Sequence, residues 1–325
     1  MSDVCVVGSF MMDLVAHAPR RPYSGETLIG TAFNTFLGGK GFNQAVAASR
    51  VGASTSFIGR LGRDDFGDEF LARLGAENIN HENVVLDSDL GTGVGLPLVE
   101  PSGENSIVIV PRANTQLTVD DIEQARSSIQ NAAVLLLQLE VPIQCVEYAA
   151  KIAADAGVKV VLNPAPFSAI SESLWSYIDV IIPNEIELAS LAPLSKGSAA
   201  ELAANLAAQR HTNVVVTLGA KGCIAVTPTG SIEHFPAHTV DAIDTVGAGD
   251  VFCGVLGAEM SRNLDLAAAI RKANAAAAIA VTRSGGADSS PSRGEVGRFI
   301  ADASIPHPVA NSDTSKSKGA FTGNE

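Results

Sequence analysis

The sequence predicts an α/β protein: a mostly parallel central sheet flanked by helices on both faces, with a small β-lobe set over it. Three observations carry that expectation. Short Val/Ile-rich runs alternate with Ala-rich helical patterns along the body of the chain, which is the rhythm of repeated βαβ units. Two segments, residues 26–37 and 93–111, have strand character with no helix between them. The 325 residues are 46% hydrophobic, ample for one large core.

Taken in order, VCVVGS (4–9) reads as a strand ahead of the helical pattern GFNQAVAASRV (41–51). SFIGRLG (56–62) precedes FGDEFLARLGAEN (66–78), and VLLLQLE (134–140) precedes CVEYAAKIAADAG (145–157). VKVVLNPA (158–165), VIIPNE (180–185) before IELASL (186–191), and TNVVVTLGA (212–220) continue the series. In a sheet of this class, ligand-binding residues sit at the carboxyl ends of the strands. The rhythm breaks at ETLIGTAFNTFL (26–37) and at GVGLPLVEPSGENSIVIVP (93–111), the latter a hairpin turning at PSGEN. With the residues from 14 onward, these two segments make the expected β-lobe. One domain over 1–304 is expected, and the tail 305–325, without apolar periodicity, is expected to be disordered.

The charge of −13, with no basic stripe, argues against nucleic acid as a partner. An anionic ligand must then be held by a few local donors. The start MSDVCVVGSF has no basic n-region and runs such as AAVLLLQL are too short to span a bilayer, so neither a targeting segment nor a membrane partner is expected. Cysteines 5, 145, 223 and 253 form no CxxC pair, which suits buried thiols in a reducing, cytoplasmic compartment.

Two glycine-rich stretches stand at helix starts. In DTVGAGD (244–250), Gly247, Ala248 and Gly249 lead into the apolar helix VFCGVLGAEM. The first N–H groups of a helix lack intrahelical partners, so small residues there let an anion approach the backbone. Asp250 in that first turn reads either as an ordinary helix-start acid or as a base that takes a proton from an attacking hydroxyl. In FLGGKGFNQAVAASRVGA (36–53), Gly38, Gly39 and Gly41 surround Lys40 and place Lys40 and Asn43 beside a polar ligand, or make a plain tight turn; GxxxxGK[ST] spacing is absent. Asp13 and Glu140, at strand ends, read equally as ligand-presenting groups or as helix caps. Asn184 and Glu187, three apart, share one side of a first helical turn, as an N-cap with a partial capping box or as a steering pair for hydrated Mg²⁺.

Together, GGKGFNQAVA, PNEIE, TLGAKG (217–222) and DTVGAGD, in this order and at these separations, resemble the ribokinase (PfkB-type) family of carbohydrate kinases over about residues 4–300. GGKGFNQA, QLE and LNPAP are most similar to the ribose-phosphorylating members. The resemblance implies a ribokinase-like fold and ATP-dependent phosphorylation of the primary hydroxyl of D-ribose, giving ribose 5-phosphate and ADP. It implies Asp250 as base and the N–H groups of Gly247, Ala248 and Gly249 as the anion hole. Met11, Asp13, Gly39, Lys40, Asn43 and Glu140 would hold the sugar together with Asp250. Asn184, Thr217, Gly219, Gly222, Gly249 and Asn274 would line the ATP site, and Glu187 would act on Mg²⁺ through water. A K⁺ site would match Asp244, Val246, Ala280, Arg283, Gly285 and Ser289. The β-lobe would act as a lid and pair with a second subunit in a homodimer.

Three departures bear on the substrate. Met11 stands where many of these kinases have Asn, Phe42 where a small residue is usual, and Arg112 where Gly is common. Met11 costs one polar sugar contact. Arg112 faces either an acidic sugar or solvent, and solvent is favoured. The alternatives are another PfkB-type kinase, acting on a fructose phosphate, ketodeoxygluconate or a nucleoside, and a non-catalytic sugar- or nucleotide-binding homologue.

Overall fold

The computed structural model describes residues 2–102, 104–192 and 197–303, so the tail expected to be disordered lies outside the described residues. After β1 (Val4–Val7), the chain leaves for the lobe through β2 (Met11–His17) and β3 (Ala32–Gly38). It returns by α1 (Lys40–Arg50), β4 (Thr55–Gly62), α2 (Asp65–Ala76) and β5 (Asn80–Asp87). A second excursion makes β6 (Val94–Val99) and β7 (Asn105–Val110). Next come the short helices α3 (Val119–Gln124) and α4 (Arg126–Gln130), β8 (Val134–Leu137), α5 (Ile143–Asp155) and β9 (Lys159–Leu162). They are followed by α6 (Glu172–Trp175), β10 (Val180–Ile181), α7 (Glu185–Leu191), α8 (Ala199–Arg210) and β11 (Asn213–Thr217). The chain closes with β12 (Cys223–Val226), β13 (Ile232–Phe235), α9 (Ala248–Ser261), α10 (Leu266–Ala280) and α11 (Arg293–Ala303).

The main sheet runs β13-β12-β11-β10-β9-β8-β1-β4-β5, and its strands pair in parallel except β11 with β12 and β12 with β13 at one edge. Its central strands are apolar without a break because both faces are covered. Val4 and Val6 pack into the core under α1, α9 and α10, whereas Cys5 and Val7 pack into the core under α5 and α8. Val134 and Leu136 alternate with Leu135 and Leu137 in the same way. β1 is followed in the sheet by β4 on one side, while β8 is followed by β9 on the other. The connections therefore diverge between β1 and β8, where a parallel sheet opens a crevice beyond the strand ends.

The lobe is a four-stranded sheet, β3-β2-β6-β7, whose β6–β7 hairpin turns within PSGEN as expected. Its first half differs from expectation. β2 begins at Met11 and ends at His17, before Pro19, Pro22 and the Ser24-Gly25 turn, and the run from 26 to 31 is not a strand: β3 starts only at Ala32, and Ile29 is 86% exposed. Strand β5 carries little apolar alternation in NHENVVLD and was not expected; pairing along β4 forms it.

Candidate active site

The two glycine-rich stretches meet. Gly247 caps α9 at φ 77, a left-handed conformation that favours glycine, and no side chain caps the helix; of its first N–H groups, that of Ala248 reaches Thr245 O at 3.4 Å. A Cβ at Gly247 would also lie 2.7 Å from Gly286 Cα, so the turn is pressed against the 285–290 loop. At Gly249 a Cβ would meet nothing within 4 Å, leaving an open approach to the backbone. Gly39 caps α1 at φ 95 and has no room for a Cβ, which would lie 2.8 Å from Ser9 O.

Helices α1 and α9 pack closely because Gly254 permits it: a Cβ there would be 2.3 Å from Gln44 O. Consequently two neighbouring side chains of α1 reach Asp250. Asn43 Nδ2 donates to Asp250 Oδ2 at 3.0 Å and Gln44 Nε2 donates to Oδ1 at 3.1 Å. Asp250 is only 7% exposed and is held at both oxygens. Asn43 Oδ1 is buried with no partner among the described residues, an acceptor left for a ligand hydroxyl.

Asp250 lines the smaller of two cavities that share Asn184, Thr217 and Gly249. The larger, about 730 Å³, has a size suited to a nucleotide and is lined by Asn184, Thr217, Gly219, Gly222, Gly249 and Asn274 among others. All six residues expected at a nucleotide site thus line this one cavity. The smaller, about 120 Å³, is lined by Lys40, Asn163, Asn184, Glu187, Thr217, Gly247, Gly249, Asp250 and Cys253. Asn184 and Glu187 form a complete capping box on α7, with Asn184 Oδ1 accepting from Glu187 N at 2.8 Å and Glu187 Oε2 accepting from Asn184 N at 2.9 Å. Such a cap contributes about 1 kcal/mol, and it leaves the carboxylate on the cavity wall.

The charges are coupled. The carboxylate of Asp250, with help from Glu140 and Glu187 and against burial, holds the Lys40 ammonium above its ordinary range. Burial raises Glu140 and Glu187, partly offset by Lys40. Glu140 is anchored by the Ser9 hydroxyl and by Lys40 N, which donates to Oε2 at 2.9 Å. Burial, and then the charge of Glu140, push Asp13 from 3.8 to about 6. The Asp13 carboxylate sits between Gly38 and Gly95 on the adjoining strands, where added Cβ atoms would lie 2.6 Å and 2.2 Å from its two oxygens. Met11, two residues earlier and on the same face of β2, lies beside it. Met11, Asp13, Gly39, Asn43 and Glu140 line neither cavity; Glu140 accepts from Lys40 N and Asn43 donates to Asp250, so these two adjoin the smaller one.

The expected cation residues also converge. Asp244 Oδ1 accepts from Val246 N at 2.9 Å and Oδ2 from Gly285 N at 3.1 Å, tying the DTVGAGD turn to the loop after α10. The Arg283 guanidinium turns away to Glu295. Ala280 O accepts from Arg283 N at 3.0 Å, and Ser289 is buried. Among the described residues no group of three or more His, Cys, Asp or Glu is arranged to hold a metal, and no helix is long and apolar enough to cross a membrane.

Arg112 is partly exposed to solvent, as favoured, and tethered at the surface. Its guanidinium donates to Thr92 O at 3.0 Å and lies 3.7 Å from Asp64, closing the base of the β6–β7 arm. Its φ of 47 accounts for why glycine suits the position. Phe42 is fully buried in an aromatic cluster with Phe10 and Phe70 and does not face the site. Sequence reasoning missed Gln44, Gln138, Asn163 and Cys253. Gln44 had a signal, being the residue after Asn43 at a glycine-led helix start; the others lie at strand ends or one turn past Asp250.

Comparison with known proteins identifies the family. A family model described as pfkB family carbohydrate kinase matches residues 1–293. A ribokinase of Haemophilus influenzae is 39% identical over 301 residues, covering 92% of this chain and 98% of that one. A deoxyribokinase of Salmonella typhimurium is 34% identical over 305 residues, 92% and 99% of the two chains. The solved structure of Arabidopsis thaliana ribokinase complexed with ribose and ATP superposes with a TM-score of 0.85 at 30% identity, over 92% of this chain and 98% of that one.

Proposed function

The chain belongs to the pfkB family of carbohydrate kinases, and from that premise we propose that it transfers the γ-phosphoryl group of ATP to the primary hydroxyl of D-ribose, giving ribose 5-phosphate. The observation that carries this reading is the placing of Asp250: a buried carboxylate on the first turn of an uncapped helix, on the wall of a small cavity that shares residues with a nucleotide-sized one, and hydrogen-bonded to Asn43. Asp250 takes the proton as the sugar oxygen attacks, and the N–H groups of Gly247, Ala248 and Gly249 meet the charge that develops on the phosphoryl oxygens. Asp13, Asn43, Glu140, Gly39 and Lys40 orient the sugar through its hydroxyls. Lys40, on the wall of the small cavity, also faces the transferring group. Asn184, Thr217, Gly219, Gly222, Gly249 and Asn274 hold the nucleotide.

Two ions accompany this reading. The Glu187 carboxylate on the cavity wall suits Mg²⁺ arriving with the triphosphate, which neutralises phosphate charge when bound. The carboxylate of Asp244 with the carbonyls of Val246, Ala280, Arg283 and Gly285 and with Ser289 is an all-oxygen set suited to K⁺, and Arg283 leaves room by turning to Glu295. Strand β7 at the lobe edge is exposed at Ile107, Val108, Ile109 and Val110, which supports a homodimer through the lobes. Four unpaired, buried cysteines support a cytoplasmic setting.

Met11 favours a second sugar, 2-deoxyribose, because a thioether beside Asp13 offers no partner to a hydroxyl there. The test is ADP release with Mg²⁺ and K⁺ over ribose, 2-deoxyribose, fructose, fructose 1- and 6-phosphate, ketodeoxygluconate and nucleosides. The two pentoses are expected to lead; a leading phosphosugar or nucleoside overturns the ribose reading.

A further inference from the structure

One of the two side chains that hold Asp250 has no part in the reaction so far. Gln44, 1% exposed, donates Nε2 to Asp250 Oδ1 at 3.1 Å. An amide has a donor end and an acceptor end, and the wrong end toward a carboxylate sets two oxygens against each other. Two further amides fix which end faces Asp250. Gln138, fully buried just past β8, donates Nε2 to Gln44 Oε1 at 2.6 Å. Asn163, just past β9, commits Nδ2 to Ile182 O at 2.9 Å and so turns Oδ1 toward Gln44 Nε2, 3.4 Å away. Only one orientation of Gln44 satisfies all three neighbours.

Gln138 is costly to keep where it is. Its Oε1 is buried without a partner among the described residues, and a Cβ at Gly8 would lie 2.4 Å from that oxygen, so the chain keeps glycine opposite it. An apolar side chain of the same length would fill the space without an unpaired acceptor, and packing alone therefore does not account for Gln138.

We propose that Gln138 and Gln44 are positioning residues, a buried amide relay in which Gln138 orients Gln44 and Gln44, with Asn43, holds Asp250 aimed at the sugar hydroxyl. The proposal rests on the reading of Asp250 as the base. It places the effect in the phosphoryl-transfer step and not in substrate affinity, because neither glutamine lines the cavities.

The experiment measures single-turnover phosphoryl transfer and equilibrium binding of ATP and ribose for Gln138→Met, Gln44→Met, the double variant and Asp250→Asn. Each single glutamine variant is expected to slow transfer roughly 10–100-fold while binding stays within about threefold, as for a misplaced reacting group. The double variant should be no slower than Gln44→Met alone, since Gln138 acts through Gln44. Multiplying effects in the double variant, or a near wild-type Gln138→Met beside a crippled Asp250→Asn, overturns the relay. An active Asp250→Asn takes down the base reading, a distinguishable result. Should Gln138→Met fail to fold, the isosteric Gln138→Glu serves: its carboxylate draws Gln44 Nε2 to itself and should slow transfer at least as much, whereas wild-type rates in Gln138→Glu overturn the proposal.

Discussion

Replacing Asp13 by Asn should make the protein more stable at neutral pH and poorer at holding sugar. The Asp13 carboxylate is squeezed between Gly38 and Gly95, accepts no hydrogen bond among the described residues, and is raised from 3.8 to about 6 by burial and then by Glu140. A carboxyl whose folded value exceeds its unfolded value binds more protons when folded. Its contribution is therefore fully present below about pH 4 and is lost as pH rises through about 6. A rise of that size corresponds to about 3 kcal/mol, or about 2 kcal/mol once solvent reaching the site is allowed for. Urea unfolding from pH 4 to 8 should show Asp13→Asn overtaking the wild type as pH rises, with a gain of about 2 kcal/mol at pH 7.5. Glu140 and Lys40 remain in the variant, so the residual slope reports them. Calorimetry should show ribose affinity of the wild type weakening below pH 6, because sugar hydroxyls donate to the ionised carboxylate, and affinity of Asp13→Asn lower by roughly tenfold or more. An Asp13→Asn protein that is less stable than wild type at pH 7.5, or that keeps the wild-type pH dependence, refutes the reasoning.

Gly247→Ala forces a Cβ into backbone 2.7 Å away at φ 77, and thermal unfolding should report a loss of roughly 2 kcal/mol or more together with a large fall in kcat. Exchange of K⁺ for tetramethylammonium at equal ionic strength should slow turnover in the wild type, and Asp244→Ala, which unties Val246 and Gly285, should lose that difference; equal rates in both salts refute the cation site. Arg112→Gly exchanges a tether to Thr92 for relief of a left-handed arginine, so kcat/KM for ribose should stay within about tenfold, ~1.4 kcal/mol. A wild-type preference for fructose 1-phosphate that collapses in Arg112→Gly contradicts that placement.

The parallel sheet was legible because its central strands are buried on both faces, and unbroken runs such as VLLL leave little else to read. That Thr217, Gly219, Gly222 and Asn184 line one cavity was legible because the first three are close in sequence and Asn184 joins Thr217 in a bridge at the next strand end. β5 was not legible, since its partner rather than its own pattern makes it a strand. The relay of Gln138, Gln44 and Asn163 was hidden for a related reason: three amides from separate elements acquire meaning only when β8, β9 and α1 converge on α9. Phe42 and Arg112 read as substrate signals because both depart from a familiar pattern, yet one fills a core of aromatic rings and the other braces the arm of the lobe.

The central claim is that Asp250 removes the proton from the attacking hydroxyl. Single-turnover transfer from ATP to ribose by Asp250→Asn, with binding of both substrates measured in parallel, tests it most directly. Asparagine keeps the size of the side chain but cannot take up a proton. The account predicts binding within a few fold of wild type and transfer slower by roughly 10²–10⁴-fold or more, and a folded Asp250→Asn protein that transfers at near wild-type rate would contradict it.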